Sequence, residues 1–182
     1  YTLNAKYMFG DGAYFEVLRP PTVQILIGIF SFAGFKTAEY IYIIFASILF
    51  LVSSTYLAKS LKFKPGYFYA LSITVFTLET GLKIGSDLLF LALLELFIAM
   101  LIKQKKYSGL FFGLCFLTRY PAVIFLPLLF FQKSIKKLLW NLLFFLIPLI
   151  PWFVYNYYKL GNMFTSMADF YALNIGFRSY IN

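Results

Sequence analysis

Long apolar stretches separated by short polar ones set the rhythm of this chain. The apolar runs occupy roughly 20–35, 38–58, 67–82, 88–102, 108–118, 121–132 and 138–157. Runs of this length predict helices that enter or cross a lipid bilayer. The first is different in kind. In "FEVLRPPTVQILIGIF" (Phe15 to Phe30) an arginine and two prolines stand at the mouth of the segment. After them only about 14 apolar residues remain, a length that favours a re-entrant or interfacial helix over a span. Pro21 suits the first turn of such a helix. The runs 108–118 and 121–132 reach only about 16–18 Å each at helical rise, which predicts a hairpin stopping part-way across, with Arg119 below headgroup level. No internal repeat or low-complexity tract interrupts the pattern.

Three lysine clusters lie between the runs: "KSLKFKPG" (Lys59, Lys62, Lys64), "KQKK" (Lys103, Lys105, Lys106) and "KSIKK" (Lys133, Lys136, Lys137). They hold nine of the 16 basic residues and no acid. The positive-inside bias puts all three in the cytoplasm. Two runs separate each cluster from the next, so each pair must cross out and back. The turns "KIGSD" (Lys83 to Asp87) and "TRYP" (Thr118 to Pro121) then face outward, and six spans result. The expected organisation is one domain: a first outer loop with interfacial helices (1–36), membrane spans (37–158) and an outer loop (159–182).

Composition agrees with that picture. The chain has 182 residues, is 62% hydrophobic and 23% aromatic, carries only 13% charged residues, and has a mean hydropathy of +0.80. A soluble domain sits nearer half apolar and a quarter charged. These values predict an all-α, polytopic integral membrane bundle in the plasma membrane. The net charge of +9 reads as membrane orientation, and no nucleic-acid-binding motif accompanies it. The single Cys115 lies in an apolar stretch and excludes a disulfide within the chain. There is no histidine, which removes Ser-His triads and H-E-x-x-H zinc sites. The chain begins at Tyr1 without a methionine and reads as a fragment of a longer protein.

Under this topology Arg19, Lys83, Asp87 and Arg119 gather at the outer ends of different helices. Arginine suits phosphate because its planar fork donates parallel hydrogen bonds and keeps its charge. Arg19 reads equally as a phosphate ligand or as a snorkelling interfacial anchor. Arg119 sits in a very short turn between apolar runs, where an idle charge is costly. Asp87 follows "GS" and opens a helix, so Ser86 or Asp87 serves as an N-cap, a role compatible with binding a metal or accepting a proton. Glu95 lies mid-membrane in the same helix, where a carboxylate is protonated or paired. Glu79 and Lys83, four apart, form a local ion pair on the plainest reading. The aromatics of "PWFVYNYYKLGN" read as an interfacial belt.

Four stretches in order resemble the polyprenyl-phosphate-sugar-dependent glycosyltransferases of the GT-C class, in particular the protein O-mannosyltransferase and aminoarabinose-transferase group. "YTLNAKYMFGDGAYFEVLRPP" resembles that family's first outer loop. "SDLLFLALLELF" resembles a segment in which an aspartate opens a membrane helix. "GLCFLTRYPAVIFLP" is similar to the family's G-L-x-x-L-T-[KR]-x-P stretch. "PWFVYNYYKLGNMF" is similar to P-W-x-x-Y-N-Y-x-x-x-G-N-P-x, with Met163 where proline is usual. The resemblance implies an inverting transferase, working outside the membrane, that takes a sugar from a polyprenyl-phosphate carrier and gives it to a protein or glycolipid acceptor. Carried over by position, Arg19 and Arg119, with Lys83 beside them, bind the donor phosphate. Asp87 orients the acceptor or a divalent metal, should one be used; no other cofactor is implied. The family's principal acid stands ahead of the position of Tyr1, and Asp11, in the Gly-Asp turn, does not replace it. Two rival readings remain: a flippase or transporter for lipid-linked sugars, and a non-catalytic membrane assembly subunit.

Overall fold

A computed structural model describes residues 1–10, 12, 15–16 and 19–179. Asp11 therefore lies outside the described residues. The fold is all-α, with no strand among the described residues. Among the described residues nine α-helices follow one another: α1 (Thr2–Phe9), α2 (Thr22–Ile29), α3 (Phe35–Ser60), α4 (Pro65–Ser72), α5 (Val75–Gly81), α6 (Asp87–Ile102), α7 (Ser108–Thr118), α8 (Ile135–Leu160) and α9 (Thr165–Ser179). Two 3-10 segments, Phe30–Ala33 and Tyr120–Phe131, complete the described order.

Two of these helices, α3 and α8, each 26 residues, are long and apolar enough to cross a membrane. α6 and α7 match the runs 88–102 and 108–118, whereas two other runs come out shortened or divided. The run 20–35 becomes α2 plus one 3-10 turn, twelve residues in all, opening at Pro21. The run 67–82 is divided, because Thr74 ends one helix and starts the next. Its amide donates to Thr77 Oγ1 (2.7 Å) and its hydroxyl accepts from the Thr77 amide (3.2 Å). This reciprocal cap competes with helix continuation. Tyr120–Phe131 winds as a 3-10 helix of twelve residues, unusually long for that form. Pro121 and Pro127 within it remove backbone donors that an α-helix needs.

Helices α3, α6, α7 and α8 form the body. α6 runs parallel to α3: Tyr42 near the start of α3 donates to Gly85 O (2.5 Å), and Ser53 and Ser54 further along donate to Glu95 (2.8 and 2.7 Å). Glu95 is thus paired by two hydroxyls. α7 returns antiparallel to α6, with the Phe112 ring tilted against Phe97 and Cys115 near the Phe90 carbonyl. Cys115 is buried and free. α8 then runs parallel to α7 in very close contact.

That closeness comes from glycine. A Cβ on Gly109 would lie 1.8 Å from Asn141 O, and one on Gly113 would lie 2.5 Å from Phe145 O. Gly109 and Gly113 stand four apart in "GLFFG", the small-xxx-small spacing by which helix backbones approach each other. Asn141 on α8 completes the joint. Its Oδ1 accepts from Ser108 Oγ (2.8 Å) and the Gly109 amide (3.0 Å), capping the start of α7 from outside. Trp152, expected in an interfacial belt, is instead buried on the inner face of α8 and stacks on Tyr155, whereas Tyr157 and Tyr158 remain exposed.

These directions sort the charges. The starts of α3 and α6, the end of α7 and the helices α1 and α2 share one end of the bundle. The turns 59–64, 103–106 and 133–137 share the other: Lys103 Nζ lies 3.6 Å from the Tyr56 ring centroid, and Gln104 reaches Lys133.

Candidate functional site

At the lysine-poor end a cavity of about 320 Å³ opens among Tyr1, Glu16, Arg19, Ser86, Arg119 and Tyr120, with α9 closing one side through Phe170. Each wall has a local cause. α1 packs on α2 because Gly28 makes room for Phe9, whose ring would stand 2.1 Å from any Cβ there. Between these helices Asn4 is buried. Its Nδ2 donates to Gln24 Oε1 (2.7 Å) and to Glu16 O (2.8 Å), and its Oδ1 accepts from the Glu16 amide (2.8 Å). Two backbone bonds to one residue fix where the chain re-emerges after the loop. Glu16 then accepts from Arg19 Nε (2.5 Å), and the guanidinium lies 4.7 Å from the Tyr1 ring centroid. The hydrogen bond to Glu16 holds the Arg19 pKa above its ordinary value, so this cation persists at any working pH.

The opposite wall is the end of α7. Arg119 leaves the helix with an extended backbone (φ −148°, ψ 117°), because Pro121 follows closely and α-helix cannot continue through it. Its Nη1 donates to Asp87 Oδ1, the first residue of α6. Ser86 occupies the N-cap position of α6 without a side-chain capping bond. Asp87 at the helix start also faces the positive end of the helix dipole. The Tyr42–Gly85 bond anchors the turn that delivers it. Beneath, Tyr120 OH and Ser166 Oγ share a hydrogen bond of 2.7 Å, and Tyr171 OH donates to Tyr120 O (3.2 Å), which ties α9 to the 119–120 turn.

Among the residues singled out in the sequence, Arg19 and Arg119 share this cavity, and Asp87 joins it through Arg119. Lys83 does not. It pairs with Glu79 on the exposed surface (2.5 Å) and is absent from the cavity wall. Each arginine therefore faces the cavity already holding a carboxylate, with side chains roughly two-fifths exposed. One guanidinium presents five N–H donors, so a single carboxylate contact leaves donors for a second anion. A divalent metal fits poorly: Asp87 is committed to a cation, and no group of three His, Cys, Asp or Glu side chains stands together among the described residues. Beside the same turn runs an apolar groove of about 590 Å³, bounded by Phe116, Val123, Leu126, Phe145, Met167 and Tyr171.

Sequence reasoning missed Glu16, Asn4, Gln24 and Tyr1. The spacing Glu16 to Arg19 was a usable signal for a local pair. Asn4 and Gln24 carry no such signal, since their partners lie 12 to 20 residues away. No protein-family model matches this chain, and neither a curated protein nor a solved structure matches it.

Proposed function

We propose that this chain is part of a membrane glycosyltransferase that takes a sugar from a polyprenyl-phosphate carrier at the extracytoplasmic face. The observation that carries the reading is the convergence of Arg19 and Arg119, distant in sequence, on one cavity beside an apolar groove. A lipid phosphate needs such a pairing: cations for its head and an oily channel for its tail. Membrane placement rests on α3 and α8, and the shorter helices complete about six crossings as packed members of the bundle. The lysine end faces the cytoplasm, which turns the cavity outward and makes the plasma membrane the site of action.

In this reading Arg19 and Arg119 hold the donor phosphate. As the bond from sugar to phosphate breaks, negative charge grows on the leaving phosphate, and fixed guanidinium groups lower the barrier by meeting it. Their carboxylate partners set aim. Glu16 and Asp87 keep each guanidinium plane oriented before the donor arrives, so little reorganisation accompanies binding. Asp87 also offers its second oxygen to orient an acceptor hydroxyl on a protein or glycolipid. Lys83 is left out of donor binding.

The test is transfer of a radiolabelled sugar from its polyprenyl phosphate by the full-length protein in vesicles. Arg119→Gln and Asp87→Asn should each lower transfer about 10²–10³-fold at unchanged expression. Normal turnover in either variant would remove that residue from the site, and normal turnover in both would end the proposal.

A further inference from the structure

The lysine end carries a second built feature. Helix α6 ends in a tight reversal: the Gln104 amide donates to Leu101 O (2.9 Å) and the Lys105 amide to Met100 O (2.9 Å), with Gln104 at φ 53°. This is the Schellman arrangement, in which glycine is the usual left-handed residue. A glutamine there bears backbone strain, and its side chain shows what it gains. Gln104 Oε1 accepts from the Lys133 amide (3.0 Å), and Nε2 donates to Phe131 O (3.4 Å). Gln104 therefore staples the 103–107 turn to the 131–137 turn.

Between the stapled turns opens a cup of about 650 Å³, walled by Gln104, Lys105, Lys106, Lys136, Lys137 and Trp140. No ion pair among the described residues reaches these lysines. The sequence holds no Asp or Glu between Glu95 and Asp169, so the neighbouring chain offers them no acid. The cup continues into a small apolar groove of about 200 Å³ that shares Lys136 and Trp140 with it and runs along Leu139 and Leu143. Both leucines are half exposed or more. Lys106 Nζ lies 5.6 Å from the Trp140 ring centroid, which places that ring at the boundary between charge and oil.

We propose that this cup binds the headgroup of an anionic membrane phospholipid, with an acyl chain lying along Leu139 and Leu143. Four uncompensated ammonium groups suit a phosphate that must be gripped as a point charge from several sides. The groove directly below them supplies the apolar continuation that a free phosphate or a nucleotide would leave unfilled. The site is separate from the arginine cavity, at the opposite end of the bundle, and does not depend on the transferase reading.

Trp140 is the reporter. In vesicles, the full chain carrying Trp152→Phe retains one of the two tryptophans of the given sequence; subtracting the Trp140→Phe chain gives the same signal without altering Trp152. Vesicles of phosphatidylcholine receive a minor fraction of acyl-brominated phosphatidylglycerol or, separately, acyl-brominated phosphatidylcholine. The expected result is preferential quenching of Trp140 by the anionic lipid, about fivefold or more at equal dose. Lys105→Ala/Lys136→Ala/Lys137→Ala should erase the preference, and Gln104→Gly, which relieves the backbone strain and keeps every lysine, should weaken it severalfold by releasing the staple. Lys59→Ala/Lys62→Ala/Lys64→Ala, removing as much charge from the same end outside the cup, should leave it in place. Equal quenching by both lipids, no quenching by either, or equal loss in the two triple variants would overturn the site, the last showing that the lysines act only as a diffuse positive surface. Excess inorganic phosphate that removes the preference would also overturn it, in favour of a small-anion site.

Discussion

The two ends of the bundle handle positive charge in opposite ways. At the cavity end each arginine is matched with a carboxylate, Arg19 with Glu16 and Arg119 with Asp87. At the lysine end no acid is near, and Lys103 and Lys106 lie against aromatic rings instead. Under the two proposals above, the difference matches the demands on each end. A matched arginine is held in one orientation, which a reacting group requires. An unmatched lysine keeps its mobility and its full field, which suffices for orienting the protein and holding a lipid. Charge count alone hides this contrast, because the lysine end is richer in cations yet less ordered in their aim.

Breaking the matched pairs should have the largest consequence. Asp87→Asn keeps the shape of the side chain and removes the charge that aims Arg119; transfer should fall about 10²–10³-fold, the scale of a lost electrostatic contact to developing charge. The exchanged pair Asp87→Arg with Arg119→Asp should recover thermal stability without recovering transfer. If it recovers both, the pair is structural only, and the contrast between the ends collapses.

Next in size is the packing that supports the lysine end. Gly109→Leu drives a side chain into the Asn141 carbonyl and should destabilise the α7–α8 joint by about 3 kcal/mol or more, read as a lowered midpoint in thermal unfolding in detergent. Asn141→Ala should cost less, about 1–3 kcal/mol, for the two donors it leaves unpaired. Equal stability of Gly109→Leu and the parent would mean that the helices are farther apart than described.

A smaller effect should come from Asn4→Ala, which frees the Glu16 backbone and loosens the aim of Arg19. The expectation is a fall in kcat/KM of about tenfold, equivalent to about 1.4 kcal/mol of lost positioning. An unchanged kcat/KM would mean that Asn4 does not set the aim of Arg19. Smallest of all is Lys83→Ala. An exposed pair of this kind contributes little, so transfer should stay within about twofold of the parent, and any large loss would return Lys83 to the donor site.

Much of the fold was legible because burial in oil or protein leaves a one-dimensional trace. The helical class and the long helices α3 and α8 follow from unbroken apolar runs, and the need of Glu95 for some partner from the cost of burying a charge. The division of the 67–82 run escaped that logic, since Thr74 is apolar enough in context to hide among its neighbours, and only its bond to Thr77 reveals a cap. Trp152 escaped for a similar reason: an aromatic near a helix end looks the same whether it meets headgroups or another helix. The pairing of Glu16 with Arg19 was readable from spacing, whereas that of Asp87 with Arg119 needed the fold, because 32 residues separate them.

The sequence by itself determined that the chain is helical, strongly apolar, and asymmetric in where its lysines fall; these are properties of local composition, and local physics is enough to enforce them. Tertiary structure decided which distant residues meet. Two glycines on α7 admit the backbone of α8, an asparagine pins the loop that carries Arg19, and a glutamine in a strained turn ties two basic segments together. Each of those outcomes depends on close approach between surfaces far apart in the chain, and closeness of that kind has no period and no composition to announce it.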